Sequence, residues 1–287
     1  AGERNLWRGV AHGQTVFGVY GAMDTYCPYP GWHPNSGNNM LEYFTDYSIM
    51  RPSAGALQLA HVKLDALKDV WLNTRPVPRR LAVYWPTASM INALPLDIHT
   101  SNGSRYAGGI IPTLHDMLFD RGYAYRYVFE KAVLDGQEDL SKITVLILPY
   151  AAWLADPVGE RLVKWVRGGG TLIAAGPFGA QTPYGFEDGS AMRTLFGRDF
   201  VVEHQREVEW IIAGEDCVET AFGKGRVFMT ASGFGLFHGA GNRRFWCVLD
   251  SAISRTAWCT NAAGTVEPKV DLVLRQDAEG VRYLSVT

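Results

Sequence analysis

Between Lys142 and Gly179 the hydrophobic pattern changes period twice. Ile143–Leu148 is a nearly unbroken apolar run, the mark of a parallel strand covered on both faces. Val158, Leu162, Trp165 and Val166 then recur at i, i+4, i+7 and i+8, one stripe of a helix whose other side carries Glu160, Arg161, Lys164 and Arg167. Asp156 is placed to cap this helix and Pro157 suits its first turn. Gly168–Gly170 stops it, because glycine takes positive φ without a steric penalty. Leu172–Ala175 is a second buried strand, so the stretch predicts one right-handed βαβ unit.

The alternation extends to both sides. Leu81–Trp85 reads as a strand, followed by a long loop, a helix over 111–121 and a strand over 123–129. Further on come a short helix ending at Phe196, added strands over 200–212 and 217–222, a sheet strand over 225–231 and a closing helix over 243–257. Strands alternating with helices over 76–260 predict an α/β domain, a doubly wound, flavodoxin-like sheet.

Residues 1–75 have another organisation. A helix over 5–12, a strand over 15–20, a long loop rich in Pro, Gly, Asn and aromatics, and a helix over 53–72 with Leu57, Val62, Leu64 and Leu67 on its apolar positions make the last β/α unit of a TIM barrel. A whole barrel needs ~250 residues, so this segment would be only the closing part of one. Arg75–Pro78 is expected to be a stiff linker. Residues 261–287 end in two alternating strands about Ala278-Glu279-Gly280, the opening hairpin of a small β-domain with no partner sheet of its own. The chain is therefore expected to be one part of a longer polypeptide.

Composition narrows this little. Apolar residues make up 47% and charged residues 20%, enough for a large core, and a net charge of −2 gives no reason to expect nucleic acid or anionic membrane as a partner. No apolar run reaches the ~20 residues of a membrane helix. Cys27, Cys217, Cys247 and Cys259 are scattered and read as free thiols, which leaves the cellular compartment open. The seven histidines lie far apart without a carboxylate in register, so neither a metal nor another cofactor is expected. Gly233-Phe234-Gly235 with Gly239 follows a strand but sits late in the sheet, and reads as a glycine-rich turn and not a dinucleotide loop.

The order of these pieces resembles the C-terminal half of a retaining β-galactosidase of glycoside hydrolase family 42. LWRGVAHGQTVFGVY is similar to the last helix and strand of that family's catalytic barrel. The strand–helix–GGGTL unit with the late GKGR strand resembles its trimerisation domain, a class I amidotransferase-like fold, and VRYLSVT resembles the start of its β-domain. After the last barrel strand this chain has Gly21-Ala22 where a typical member has Arg-Trp.

The resemblance implies a carbohydrate substrate with a β-galactoside-type linkage, a homotrimer, and an acid/base and a nucleophile carboxylate. Both carboxylates would sit on earlier barrel strands, upstream or on a companion chain, so no catalytic residue is assigned here. Asp24, Tyr26, Trp32 and His33, just after the barrel strand, are the candidate sugar-binding residues: a carboxylate for hydroxyls and rings for stacking. An amidotransferase would carry a nucleophilic cysteine on the turn after Leu172–Ala175, where Gly176-Pro177-Phe178 stands, so that chemistry is absent. The alternative to an enzyme segment is a non-catalytic oligomerisation module; a third reading is an independent amidotransferase-like binding protein.

Overall fold

Strands made wholly of apolar residues need cover on both faces, and the central sheet of this protein has it. The computed structural model describes residues 7, 10–11, 52–77, 79–97, 107–121, 123–205, 209–253 and 272–286. Trp7, Val10 and Ala11 are helical. They are followed by α1 (Pro52–Ala66), α2 (Lys68–Asn73) and the short strand β1 (Arg75–Pro76). Next come β2 (Leu81–Trp85), α3 (Thr87–Asp97), α4 (Ala107–Asp120), β3 (Arg126–Phe129) and α5 (Glu130–Leu134). Then follow β4 (Val145–Pro149), α6 (Asp156–Arg167), β5 (Thr171–Ala175), α7 (Ser190–Phe196), β6 (Val202–Gln205) and β7 (Glu209–Ile212). The last are β8 (Cys217–Phe222), β9 (Gly225–Thr230), α8 (Gly239–Ala252), β10 (Leu272–Gln276) and β11 (Arg282–Val286). The chain divides into two units: Arg79–Pro268, and Ala1–Pro78 with Lys269–Thr287.

The larger unit is a mixed α/β structure around a six-stranded sheet of order β3-β2-β4-β5-β9-β8. Its pairings are parallel except for β8, which runs antiparallel to β9 at the edge. Successive side chains alternate between two cores. Tyr84, Leu146, Leu148, Leu172 and Ala174 face α5, α6 and α7. Val83, Val145, Ile147, Ile173 and Phe228 face α4 and α8.

The β4–α6–β5 unit forms as its pattern predicts. Val158, Leu162, Trp165 and Val166 are all buried. The helix N-cap is Ala155, without a side-chain bond, and Asp156 is its first residue. The carboxylate therefore favours the helix through the dipole and not as the cap.

Elsewhere four expectations are corrected. The long loop after β2 contains α3, which no local cap announces. Residues 200–212 do not extend the main sheet; β6 and β7 pair with each other as a separate two-stranded sheet. The helix over 53–72 is broken at Leu67, and Val62 and Leu67 are exposed; Val62 stands five and two positions from Leu57 and Leu64, spacings that take it off their side of the helix. The C-terminal hairpin does not stand alone: β1 adds a third strand, with Pro76 opposite Arg275 and Val77 N–H donating to Leu274 O at 2.9 Å. Arg75 and Pro76, expected in a linker, thus belong to a sheet.

Candidate functional site

In open α/β sheets ligands bind outside the carboxyl ends of the strands, where the strand order reverses. Here that point lies between β2 and β4, since the chain passes from β2 to β3 on one side and returns to β4 on the other. The side chains gathered there come from four elements. Glu130 opens α5, is only 4% exposed, and accepts the N–H of Ala88 at 2.8 Å. The first turn of α3 has no acidic residue of its own. A carboxylate 42 residues away serves its orphan donors instead. Tyr84 of β2 is fully buried, and its hydroxyl has no hydrogen-bond partner among the described residues. Burial, and after it the charge of Glu130, pushes that phenol far above its ordinary pKa. Ser89 Oγ donates to Trp153 O and accepts from Trp153 N–H, both at 3.0 Å.

The crest itself is closed by rings. Tyr150, immediately after β4, holds φ 52°, a conformation that bulky residues adopt at a cost. Its ring meets Trp153 edge-on at 6.3 Å, and Trp153 meets Trp210 at 6.1 Å. Beside this plug a groove of about 790 Å3 runs past Glu215, Asp216, Ser232, His238 and the start of α8. Gly241 in that wall lies where a Cβ would stand 2.4 Å from Gly235 O, so the late glycines serve close packing.

Glu130 makes stability depend on pH. Burial raises its pKa, against the lowering effect of the Ala88 and Thr87 N–H groups. The folded protein then keeps this proton to higher pH than the unfolded chain does. The associated stability is fully present below the unfolded pKa and is lost as pH rises through the folded one. Glu130→Gln retains an acceptor and does not titrate. The melting temperature of the variant relative to the parent should therefore climb as pH rises above the ordinary glutamate pKa of about 4; a constant difference would show that burial does not raise the Glu130 pKa.

The turn after β5 carries no cysteine. On the turn after β5, Gly176 has φ 81°, and a Cβ there would lie 2.9 Å from the Gly233 N atom. A cysteine does not fit that place. Thr230 instead joins the two turns, its Oγ1 accepting from Gly176 N–H at 3.1 Å and donating to Ser232 O at 2.7 Å. The thiol of Cys217 is raised by burial and by Asp216, which keeps it protonated. Among the described residues no three His, Cys, Asp or Glu side chains come together as a metal site, and no helix is long and apolar enough to cross a membrane.

The sequence-derived sugar-binding residues Asp24, Tyr26, Trp32 and His33 lie outside the described residues. Glu130, Tyr84 and Ser89 were not singled out from the sequence, because nothing local distinguishes a capping glutamate from a solvated one. The only available signal was α3's missing acceptor.

No protein-family model matches the chain. No curated protein matches it either. Its fold is nevertheless found in solved structures. The cold-adapted β-galactosidase from Rahnella sp. R3 aligns at a TM-score of 0.60 and 14% identity, over 85% of this chain and 40% of that one. The β-galactosidase from Bacillus circulans sp. alkalophilus aligns at 0.59 and 16%, again over 85% and 40%. Gan42B, a GH42 β-galactosidase from G. stearothermophilus, aligns at 0.57 and 15%, over 83% and 38%. The chain thus has the fold of part of these enzymes and spans about 40% of their length.

Proposed function

We propose that this chain is the C-terminal portion of a retaining glycoside hydrolase that cleaves β-galactoside-type linkages. In this reading residues 1–75 end the catalytic barrel, residues 76–260 form a flavodoxin-like, amidotransferase-related oligomerisation domain, and residues 261–287 begin a small β-domain. The acid and nucleophile carboxylates stand upstream or on another chain, and three copies assemble. Asp24, Tyr26, Trp32 and His33 contact the sugar.

One observation carries the proposal. The likeness to β-galactosidases covers 85% of the chain, more than the Arg79–Pro268 unit alone can supply. The parallel strand order, in which the second strand lies outside the first, agrees with a flavodoxin-like sheet.

The test is hydrolysis of a nitrophenyl β-galactoside by the natural polypeptide that contains this chain, with its intact mass measured. Hydrolysis is expected, and Asp24→Ala should lower kcat/KM roughly tenfold or more, the size of one lost hydrogen bond to a charged group, at unchanged melting temperature. The second reading, a non-catalytic assembly module, is favoured by the bare Gly176 turn. A polypeptide that starts at Ala1, associates and hydrolyses nothing would establish it in place of the first.

A further inference from the structure

The Arg79–Pro268 unit holds a smaller cavity of about 250 Å3, lined by α7 and the β6–β7 ribbon. That is just under the ~300–1,000 Å3 of sites for drug-sized ligands, and suits a molecule no larger than one hexose ring. Met192 and the ring of Trp210 give the cavity an apolar side. Trp153 meets Trp210 edge-on at 6.1 Å and holds that ring in place. The polar lining comes from Glu187, Asp188, Arg193, Arg198 and Asp199.

These groups use one another only in part. Arg193 spends Nε on Asp199, which leaves its two terminal nitrogens and one Asp199 oxygen without a partner among the described residues. Arg198 donates one terminal nitrogen to Glu215 at 2.7 Å and lies over the Phe200 ring at 4.6 Å. Asp188 accepts the N–H and Oγ of Ser190, both at 3.1 Å. Glu187 is exposed, and its carboxylate makes no hydrogen bond among the described residues.

The wall that carries Glu187 and Asp188 is set in advance. Thr182 N–H donates to Phe186 O at 2.8 Å and Gly185 N–H to Thr182 O at 3.0 Å, closing the turn ahead of Glu187. Asn92 of α3 donates to Pro183 O at 3.1 Å, and Asp188 N–H to Ala180 O at 3.0 Å. A preformed wall lowers the ordering cost of binding.

The mixture of charges decides the ligand class. Three carboxylates disfavour phosphate or another anion, and two guanidinium forks disfavour an amine. A neutral molecule with several hydroxyls uses both, donating to carboxylate oxygens and accepting from guanidinium N–H groups. A pyranose adds an apolar C–H face for an aromatic ring.

We propose that this cavity is a non-catalytic sugar-binding site for one neutral pyranose unit. Glu187 and Asp199 accept from its hydroxyls, the terminal nitrogens of Arg193 donate to them, and Trp210 packs against its C–H face. Arg198 lines this cavity and Glu215 the larger groove, so their bridge is a shared border that a second unit of a sugar chain can cross. The site lies wholly within the Arg79–Pro268 unit, and it stands whether or not the chain belongs to a hydrolase.

The test is titration of the full chain with the methyl β-glycosides of galactose, glucose and mannose, followed by saturation-transfer NMR and tryptophan fluorescence. Inorganic phosphate and spermidine serve as charged probes. Saturable binding of at least one glycoside is expected, with Kd on the order of millimolar for a ligand of this size. Arg193→Met should weaken it roughly tenfold or more and Glu187→Ala severalfold, as the loss of hydrogen bonds to charged groups implies. Both side chains are exposed, so the melting temperature should not change. Trp210→Phe should remove the fluorescence change on binding.

No saturation by any of the three glycosides would overturn the proposal. So would binding that Asp24→Ala abolishes and Arg193→Met and Glu187→Ala leave intact, since the sugar would then sit elsewhere in the chain. Displacement of the glycoside by phosphate or spermidine at equal concentration would assign the cavity to a charged ligand and overturn its class.

Discussion

Trp165→Ala should cost the Arg79–Pro268 unit about 3–5 kcal/mol, the range for deleting a large buried ring. Trp165 is 9% exposed, lies in the core between α6 and the sheet, and donates its indole N–H to Ile143 O at 3.3 Å, just ahead of β4. It also occupies the space that Gly170 leaves, where a Cβ would stand 2.2 Å from the ring. Truncation therefore empties a volume enclosed on one side by backbone that cannot collapse into it. For a unit of this size the melting temperature should fall on the order of 10 °C. Trp165→Phe keeps most of the packing and should lose little beyond the hydrogen bond, about 1 kcal/mol. Equal effects of the two variants would mean that the bond, not the packing, dominates; near-neutral urea midpoints for both would refute the burial of this face.

Gly225→Ala is expected to act on the same unit from the opposite side. Gly225 opens β9 directly over the last turn of α6. A Cβ there would stand 2.1 Å from Val166 O and 2.3 Å from Gly170 O. Those atoms are backbone, so no rotamer change relieves the contact, and β9 must move away from β5. Overpacking costs about 1–3 kcal/mol in general, and this substitution should fall at or above the upper end. The loss should appear as a lower urea midpoint. A midpoint unchanged from the parent would mean that β9 and α6 can separate freely, against the backbone bonds from Lys224 N–H to Arg167 O at 3.0 Å and Arg226 N–H to Gly170 O at 3.2 Å.

The two predictions concern the part of the molecule most legible in its sequence. Ile143–Leu148 and Leu172–Ala175 are runs that only a doubly covered strand tolerates, and the stripe through Trp165 has room for one orientation. Local signals of that kind also placed β2, β8, β9 and the C-terminal hairpin. They failed where the determining partner is remote in the chain. α3 was hidden because its N-terminal acceptor is Glu130. Arg275 looked like an ordinary charge in an alternating strand. In the structure it shares the buried side of β10 with Val273 and is enclosed by oxygen atoms from residues 10, 11, 71 and 74.

The candidate site divides in the same way. The absence of a cysteine after β5 could be read directly; that no side chain fits there follows only from the approach of Gly233 to Gly176. Periodicity by itself determined the strands, the main helices and the α/β class, because a covered strand and a one-faced helix each demand a particular spacing of apolar residues. Tertiary structure alone decided which charges are buried, what neutralises them and how the sheet's crest is closed. Those outcomes depend on oxygen and nitrogen atoms brought together from positions tens to hundreds of residues apart, and no local pattern records them.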